Sequence, residues 1–234
     1  MQKQIKQYVI CIMLTVSTHV FGDFYHTLIH QQSNEDKIAC FLSMVSDASV
    51  CTNDTEVLDQ ALKKVVLDGK YLEMGVFAGR TINHIASKVP NVTIHGFDSF
   101  EGLPENWTRD DTTMFCKGFF AMNNFPSVAL NVKLYKGWFI DSLPIFKKDI
   151  LQEQPIAFLH IDCDLYSSTK TVFDILGNNI VNGTVIVFDE LYRYPGFEHH
   201  EIKALYEFLK YKKYQVKYLA YNIYHEQVAV QIVA

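Results

Sequence analysis

Two pairs of carboxylates follow two apolar segments in the second half of the chain. The segments are 156–161 and 184–188, and the acids that follow them are Asp162 and Asp164, then Asp189 and Glu190. Carboxylate oxygens are the ligands that hard divalent cations prefer, and a carboxylate beside a hydroxyl can take its proton. These residue types therefore predict a divalent metal site that can also perform acid–base chemistry.

The residues between the two acid pairs predict a helix that connects two strands. Three hydroxyl residues at 167–169 precede an amphipathic segment over 170–176, which is typical of a capped helix, and Gly177 then leads to the second apolar segment. A crossover of this kind returns parallel to its start, so both acid pairs emerge at the same edge of the sheet. Neighbouring strands lie about 4.8 Å apart. Carboxylates that close together repel each other unless some are protonated or a cation lies among them.

A glycine turn earlier in the chain predicts a binding edge for a nucleotide-like ligand. A short strand ends at Glu73, Gly75 and Gly79 allow a tight turn, and a helix follows. Phe77 occupies a position at which the dinucleotide pattern G-x-G-x-x-G has glycine, and Glu73 would repel a pyrophosphate. An acid at this turn suits a ligand with a cationic amino acid group, such as S-adenosylmethionine.

Further positions complete the candidate cofactor site. Asp98, followed by Ser99, ends the next predicted strand about 25 residues after the turn, where an acid can accept hydrogen bonds from ribose hydroxyls. A turn-forming aspartate is the alternative. Trp138 follows a third strand over 131–135 and can stack on an adenine, although ordinary packing also accounts for it. The aromatic segment 105–126 has the length of a lid or substrate wall.

Composition limits the number of domains and the class of partner. The 234 residues, 49% of them hydrophobic, suit one α/β domain with a full core. A net charge of -5 with scattered basic residues favours a small-molecule ligand over nucleic acid. We assign 69–234 to the catalytic domain and 23–68 to an N-terminal helical cover, through which the chain could form a homo-oligomer.

Residues 1–22 allow two interpretations. Lys3 and Lys6 precede an apolar stretch, and Gly22 stands where a signal peptidase cleaves, which is the layout of a secretory signal. The alternative is an amphipathic N-terminal helix, and the stretch is short for a membrane span. Because S-adenosylmethionine is a cytosolic metabolite, cofactor supply favours the cytoplasm and conflicts with export.

Five stretches of the chain resemble a known family. They are YLEMGVFAGR at 71–80, GFDSFEGLP at 96–104, KGWF at 136–139, HIDCDLYSST at 160–169 and VFDE at 187–190. Their order is similar to that of class I S-adenosylmethionine-dependent methyltransferases, and more closely they resemble the macrocin O-methyltransferase family. The resemblance implies a Rossmann-like, doubly wound, mostly parallel seven-stranded sheet with helices on both faces. It also implies that S-adenosylmethionine binds over the first two strands with Mg²⁺ beside it.

The resemblance further implies roles for the acids. The metal ligands would be Asp162, Asp189 and Glu190, and the acceptor would be a hydroxyl of a small molecule, such as a sugar or a glycosylated metabolite. Asp162 is our candidate for both ligand and proton acceptor. Asp164 is the alternative base, and capping the following helix is its other interpretation. Glu190 departs from the catechol-type O-methyltransferases, whose corresponding polar pair contains an amide.

Three other functions fit parts of the pattern. An NAD-dependent oxidoreductase would use a similar sheet, but Phe77 disfavours it. A non-catalytic protein that binds S-adenosylmethionine or a metal is the second, and the intact acid cluster favours an enzyme over it. A hydroxylase on the same architecture is the third, and a product assay would separate it from a methyltransferase.

Overall fold

The computed structural model describes residues 21–109 and 113–234. The signal-like segment predicted over 1–22 lies outside these residues, apart from Phe21 and Gly22 at the start of the first helix. None of the helices within the described ranges is long and apolar enough to cross a membrane.

The described residues form seven α-helices and ten strands. The helices are α1 (Phe21–Ile29), α2 (Asn34–Met44), α3 (Asp54–Leu62), α4 (Arg80–Lys88), α5 (Phe139–Phe146), α6 (Tyr166–Leu176) and α7 (Glu201–Lys212). The strands are β1 (Ser49–Cys51), β2 (Lys70–Met74), β3 (Ile94–Asp98), β4 (Trp107–Thr108), β5 (Met114–Phe115), β6 (Val132–Lys136), β7 (Ile156–Ile161), β8 (Val185–Phe188), β9 (Gln215–Asn222) and β10 (Val228–Val233). A π-helical turn, Lys147–Leu151, extends α5, and a 3-10 turn, Phe197–His199, precedes α7.

Eight strands form one sheet in the order β1-β9-β10-β8-β7-β2-β3-β6. Strands β6, β3, β2, β7 and β8 are parallel, and β10 runs antiparallel to both of its neighbours. The predicted mostly parallel α/β fold is confirmed, and all seven strands expected after residue 69 are present. The eighth, β1, joins β9 at the edge. Sequence analysis missed it because three residues are too few to show a strand periodicity.

The central strand β7 is buried along its whole length between two hydrophobic layers. Leu159 and Ile161 face the layer formed with α1, α2, α5, α6 and α7, and Phe158 faces the layer formed with α3 and α4. Helices therefore cover both faces of the sheet, as predicted. A strand buried on both sides can expose polar groups to solvent only at its ends, and the acids that follow β7 lie at such an end.

The N-terminal helices pack directly on the sheet-covering helices. Tyr25 of α1 stacks on Tyr206 of α7 with ring centroids 4.3 Å apart, and its hydroxyl donates to the carbonyl of Glu198. On the opposite face α3 contacts α4. The segment 23–68 thus covers both faces of the sheet, and its role as an oligomer contact stays a prediction.

The turn after β2 presses against the end of β7. Gly75 has a φ of 93°, and a Cβ at this position would lie 1.7 Å from the carbonyl oxygen of Asp162. The amide of Asp162 donates to the carbonyl of Met74 at 2.9 Å, and the amide of Gly75 donates to Phe97 at 2.9 Å. Only glycine permits this approach, so the glycine turn and the first acid are held together by backbone contact.

We expect Gly75→Ala to lower the free energy of unfolding by about 3 kcal/mol or more, because the added methyl group meets backbone and the left-handed conformation is lost. Gly183→Ala is the matched control. Gly183 has the same φ of 93°, but its Cβ would meet only the side chain of Leu67 at 4.0 Å. It should lose about 1–2 kcal/mol from the conformational term alone. Urea denaturation of both variants measures the difference, and equal losses would contradict the steric account.

Candidate active site

A cavity of ≈ 530 Å³ opens at the carboxyl ends of the parallel strands. Eight of the ten predicted site residues line it: Gly75, Asp98, Ser99, Trp138, Asp162, Asp164, Asp189 and Glu190. Glu73 and Gly79 do not. The fold thus brings the glycine turn, the second-strand acid and both acid pairs to one cavity, as an open α/β sheet does at its ligand-binding edge.

Asp98 holds the glycine turn in place. Its Oδ2 accepts from the amides of Val76 and Phe77 at 2.9 and 2.8 Å, and its Oδ1 accepts from the amide of Phe100 at 2.7 Å. Phe77 has a φ of 44°, a strained conformation of the kind found at functional sites. The predicted contact of Asp98 with ribose hydroxyls stays a prediction, but its carboxylate already shapes this wall.

Helix α4 points its N-terminus at the same region. Gly79 is its N-cap with a φ of 80°, and no side chain caps the helix. Arg80 and Thr81 of the first turn line the cavity. An uncapped helix N-terminus offers backbone N–H groups to a carboxylate ligand.

Glu73 lies beneath the turn and is fully buried. Its side chain contacts α4 and β7 and does not line the cavity. Its Oε1 accepts from the hydroxyl of Thr81 at 3.1 Å, and its Oε2 lies 3.0 Å from Nδ1 of His160. Glu73 and His160 are register partners on β2 and β7, so their side chains leave the sheet on one face. Its predicted contact with the cofactor stays a prediction.

The two acid-tipped strands are direct neighbours. Strands β7 and β8 pair in parallel with Ile161 opposite Phe188, and the amide of Asp189 donates to the carbonyl of Ile161 at 2.9 Å. Asp162 and Asp189 therefore emerge side by side. The convergence expected from the crossover is present.

Three side chains are arranged so that they could hold a cation. One ligand atom each from His160, Asp162 and Asp189 lies within 4.8 Å of the others. Glu190, the third predicted ligand, is outside this group: its amide donates to Oε2 of Glu201 at 3.2 Å, while its own Oε2 is buried without a hydrogen-bond partner. It still lines the cavity, and its role as a ligand stays a prediction.

The cluster is short of positive charge. Burial, followed by the charge of Asp189, raises the pKa of Asp162 and of Glu190 well above their ordinary values. The same causes raise the pKa of Asp164 to about 7. Burial also opposes ionisation of Asp189, but its contact with His160 outweighs this and lowers its pKa. Buried carboxylates that resist ionisation together are the setting in which a divalent cation binds.

His160 is the residue of this site that sequence analysis missed. Burial disfavours its charged form, but the facing carboxylates of Asp189 and Glu73 outweigh burial and raise its pKa well above the ordinary value. Its place two residues before Asp162, at the end of β7, was the available signal, since alternate residues of an extended segment share a face.

Helix α6 contributes a hydroxyl-rich wall. The predicted cap is wrong: the helix begins at Tyr166 with Leu165 as an N-cap that has no capping side chain, so the hydroxyl residues lie inside the first turn. Asp164, with a φ of 61°, lies two residues before this helix start, which precedes the hydroxyl residues 167–169. Ser167, Ser168 and Thr171 consequently line the cavity.

The segment after β3 closes part of the mouth, where a lid or substrate wall was predicted. Glu105 accepts a hydrogen bond from Ser167, and Phe120 meets Phe77 edge to face with ring centroids 5.4 Å apart. Arg109 pairs with Glu226 on the far side. The described part of the segment is thus tied to α6, to the glycine turn and to the loop before β10.

The sequence and fold can be compared with known proteins. A profile of the macrocin O-methyltransferase family (TylF) matches residues 30–213. Among solved structures, the calicheamicin methyltransferase CalS11 is 20% identical, with a TM-score of 0.61, over 89% of this chain and 90% of that one. The O-methyltransferase NovP is 19% identical, with a TM-score of 0.56, over 77% of this chain and 79% of that one. At these identities the likeness establishes the fold. No curated protein sequence matches the chain.

The acid cluster predicts how stability depends on pH. The pKa of Asp164 is about 7 in the folded protein against an ordinary 3.8, so the folded state holds this proton to higher pH than the unfolded state. The free energy of unfolding should therefore fall as pH rises from about 4 to about 7. Asp162 and Glu190 act in the same direction, and His160 adds stability that is lost only above its own raised pKa.

We expect the metal-free protein in EDTA to lose at least about 1 kcal/mol of stability between about pH 5 and about pH 8 in urea denaturation. Asp164→Asn should flatten this dependence, whereas Asp174→Asn, a change at an exposed aspartate of α6, should not. Stability that rises across this window would contradict the electrostatic description.

Proposed function

The chain belongs to the macrocin O-methyltransferase family, and we propose that it methylates a hydroxyl of a sugar or glycosylated small molecule with the help of Mg²⁺. Family membership makes it an S-adenosylmethionine-dependent O-methyltransferase. The metal, the acceptor class and the roles of individual residues are the proposal. Its main support is that the glycine turn and both acid-tipped strands open into one cavity.

The donor would bind along the turn after β2. The ligand would lie along the backbone around Gly75, and the uncapped start of α4 would bind its amino acid carboxylate. Asp98 would accept hydrogen bonds from the ribose, and Trp138, half-buried at the start of α5, would stack on the adenine; both residues line the cavity. When bound, S-adenosylmethionine supplies the methyl group on a positively charged sulfur.

The residues at the strand ends fit a divalent cation. Asp162 and Asp189 would hold it, with Glu190 close enough to the cavity to contribute. Their oxygen ligands suit Mg²⁺, and the raised pKa values indicate carboxylates that gain from a nearby positive charge. When bound, Mg²⁺ supplies Lewis-acid polarisation that lowers the pKa of a coordinated hydroxyl.

Asp162 would accept the proton of the acceptor hydroxyl. It lies in the cavity wall between the donor turn, which contacts its backbone, and Asp189. Asp164 is the alternative, since it also lines the cavity and its pKa of about 7 suits a general base. Placing the hydroxyl in line with the methyl group would supply much of the remaining acceleration.

The walls suit a hydroxylated acceptor. Ser167, Ser168 and Thr171 supply donors and acceptors on the α6 side. CalS11 is described as a TDP-rhamnose 3'-O-methyltransferase, and that description supports a sugar hydroxyl as the target here. The aromatic segment that carries Phe120 would exclude water once the acceptor is bound.

S-adenosylmethionine should raise the melting temperature. At a concentration about 100 times its Kd, the ligand adds about 2.7 kcal/mol, or roughly 5–10 °C for a chain of this size. NAD⁺ is the control, because Phe77 disfavours a pyrophosphate. Stabilisation by NAD⁺ and not by S-adenosylmethionine would favour the oxidoreductase.

Asp162→Asn should reduce methyl transfer by at least about 100-fold, since the variant loses both a ligand and the proton acceptor. Donor affinity, measured by calorimetry, should stay near the wild-type value. Turnover is read as S-adenosylhomocysteine release with a panel of glycosides, and Asp174→Asn is the control. Equal loss of donor binding and turnover would count against the assigned role.

A further inference from the structure

The imidazole of His160 lies between two carboxylates inside the sheet. It is fully buried on β7. Its Nδ1 is 3.0 Å from Oε2 of Glu73, and its Nε2 is 3.8 Å from Oδ1 of Asp189, with no hydrogen-bond partner of its own. An unpartnered polar atom in a protein interior needs an explanation, because burial without a hydrogen bond costs about 1–3 kcal/mol.

We propose that His160 is a positioning residue that fixes the Asp189 carboxylate for the cation, and this inference rests on the proposed function. The 3.8 Å separation is an ion-pair distance and exceeds a direct hydrogen bond. A shift of about 1 Å in the Asp189 side chain would close it. His160 would then hold one oxygen of Asp189 from beneath while the cavity side stays open to the cation.

The second oxygen of Asp189 is already held in this way. Nε2 of Gln227 donates to Oδ2 of Asp189 at 3.2 Å. Gln227 lies just before β10 and His160 lies on β7, so nitrogen groups from the two neighbours of β8 face the two oxygens of one carboxylate. Such contacts fix the orientation of a ligand, and their loss weakens metal binding by about 10–100-fold.

The position of His160 favours this role over direct coordination. Asp162 and Asp189 line the cavity, whereas His160 does not. A cation that enters from the cavity meets the carboxylates first, and Mg²⁺ prefers oxygen to imidazole nitrogen. His160 therefore lies behind the ligands.

Glu73 fixes His160 and connects it to the donor side. Its Oε2 faces Nδ1 of His160, and its Oε1 accepts from the hydroxyl of Thr81, which lines the cavity on α4. A series of side-chain contacts thus connects α4 to the acid cluster through the buried face of the sheet. Its members are Thr81, Glu73, His160 and Asp189. This assigns the buried Glu73 a structural purpose that does not require contact with the cofactor.

Two substitutions distinguish the contacts of the two imidazole nitrogens of His160. Asparagine places its amide near Nδ1, so His160→Asn retains the contact with Glu73 and loses the one with Asp189. Glutamine reaches the position of Nε2, so His160→Gln retains a donor for Asp189. His95→Asn is the matched control, because His95 is a buried histidine on β3 whose Nδ1 bonds to the hydroxyl of Tyr135 at 2.9 Å, away from the acids.

The experiment measures Mn²⁺ affinity of the full chain by calorimetry, with S-adenosylmethionine affinity measured alongside. His160→Asn should weaken Mn²⁺ binding at least about tenfold while donor affinity stays near the wild-type value. His160→Gln should recover most of the loss, and His95→Asn should bind Mn²⁺ as the wild type does. Equal Mn²⁺ affinity in wild type and His160→Asn would overturn this inference alone.

A second readout needs no variant. Electron spin echo spectra of wild-type protein with Mn²⁺ should lack the nitrogen modulation of a directly bound imidazole, and its presence would overturn the positioning role. A wild type that binds S-adenosylmethionine but no Mn²⁺ would overturn the metal part of the proposed function, and this inference with it. A wild type that binds Mn²⁺ but not S-adenosylmethionine would contradict donor binding, and the Mn²⁺ affinities of the His160 variants would still decide whether His160 positions Asp189.

Discussion

Repulsion between carboxylates confined to one sheet edge is the constraint on which the rest of this structure depends. Parallel pairing of β7 and β8 makes the side chains of Asp162 and Asp189 neighbours, and their partial burial reduces the screening of their charges by water. This crowding raises the pKa values of Asp162 and Glu190, and His160 lies between the carboxylates of Glu73 and Asp189. Such a cluster is unfavourable in an empty site and becomes favourable when a cation neutralises it.

The same sheet edge carries the glycine turn after β2, and this turn and the acid cluster are not independent. Gly75 touches the backbone of Asp162, and the amide of Asp162 donates to the carbonyl of Met74, so the turn and the acid-bearing strand are held against each other. Asp98 then ties the turn to the loop after β3. A methyl donor and a cation held by such connected parts would keep a fixed relative position, which an in-line transfer between them requires.

Much of this could be predicted from the sequence. Apolar segments that end in acids predicted the strands, and the parallel crossover predicted that Asp162 and Asp189 would meet. Gly75 was predicted to allow close backbone approach, although the sequence could not show that the backbone approached is that of Asp162. These features are local, or follow from chain topology, so a single sequence carries them.

The remaining features depend on contacts between distant residues. Glu73 was predicted to contact the cofactor, and its contact with His160 was not foreseen, because no local pattern reveals the cross-strand partner that the pairing of β2 with β7 provides. The start of α6 at Tyr166 comes directly after a left-handed backbone at Asp164, a conformation that aspartate tolerates better than most residues but that no local pattern predicts at this position. β1 joins the sheet because β9 offers it an edge.

The central claim is that the strand-end acids bind a divalent cation beside the methyl donor. A crystal structure with Mn²⁺ and S-adenosylhomocysteine, with data collected at a wavelength where manganese scatters anomalously, tests it most directly. One anomalous peak is expected within coordination distance of both Asp162 and Asp189, next to the ligand sulfur. A bound S-adenosylhomocysteine with no peak at these carboxylates, or with them turned away from the cavity, would contradict it.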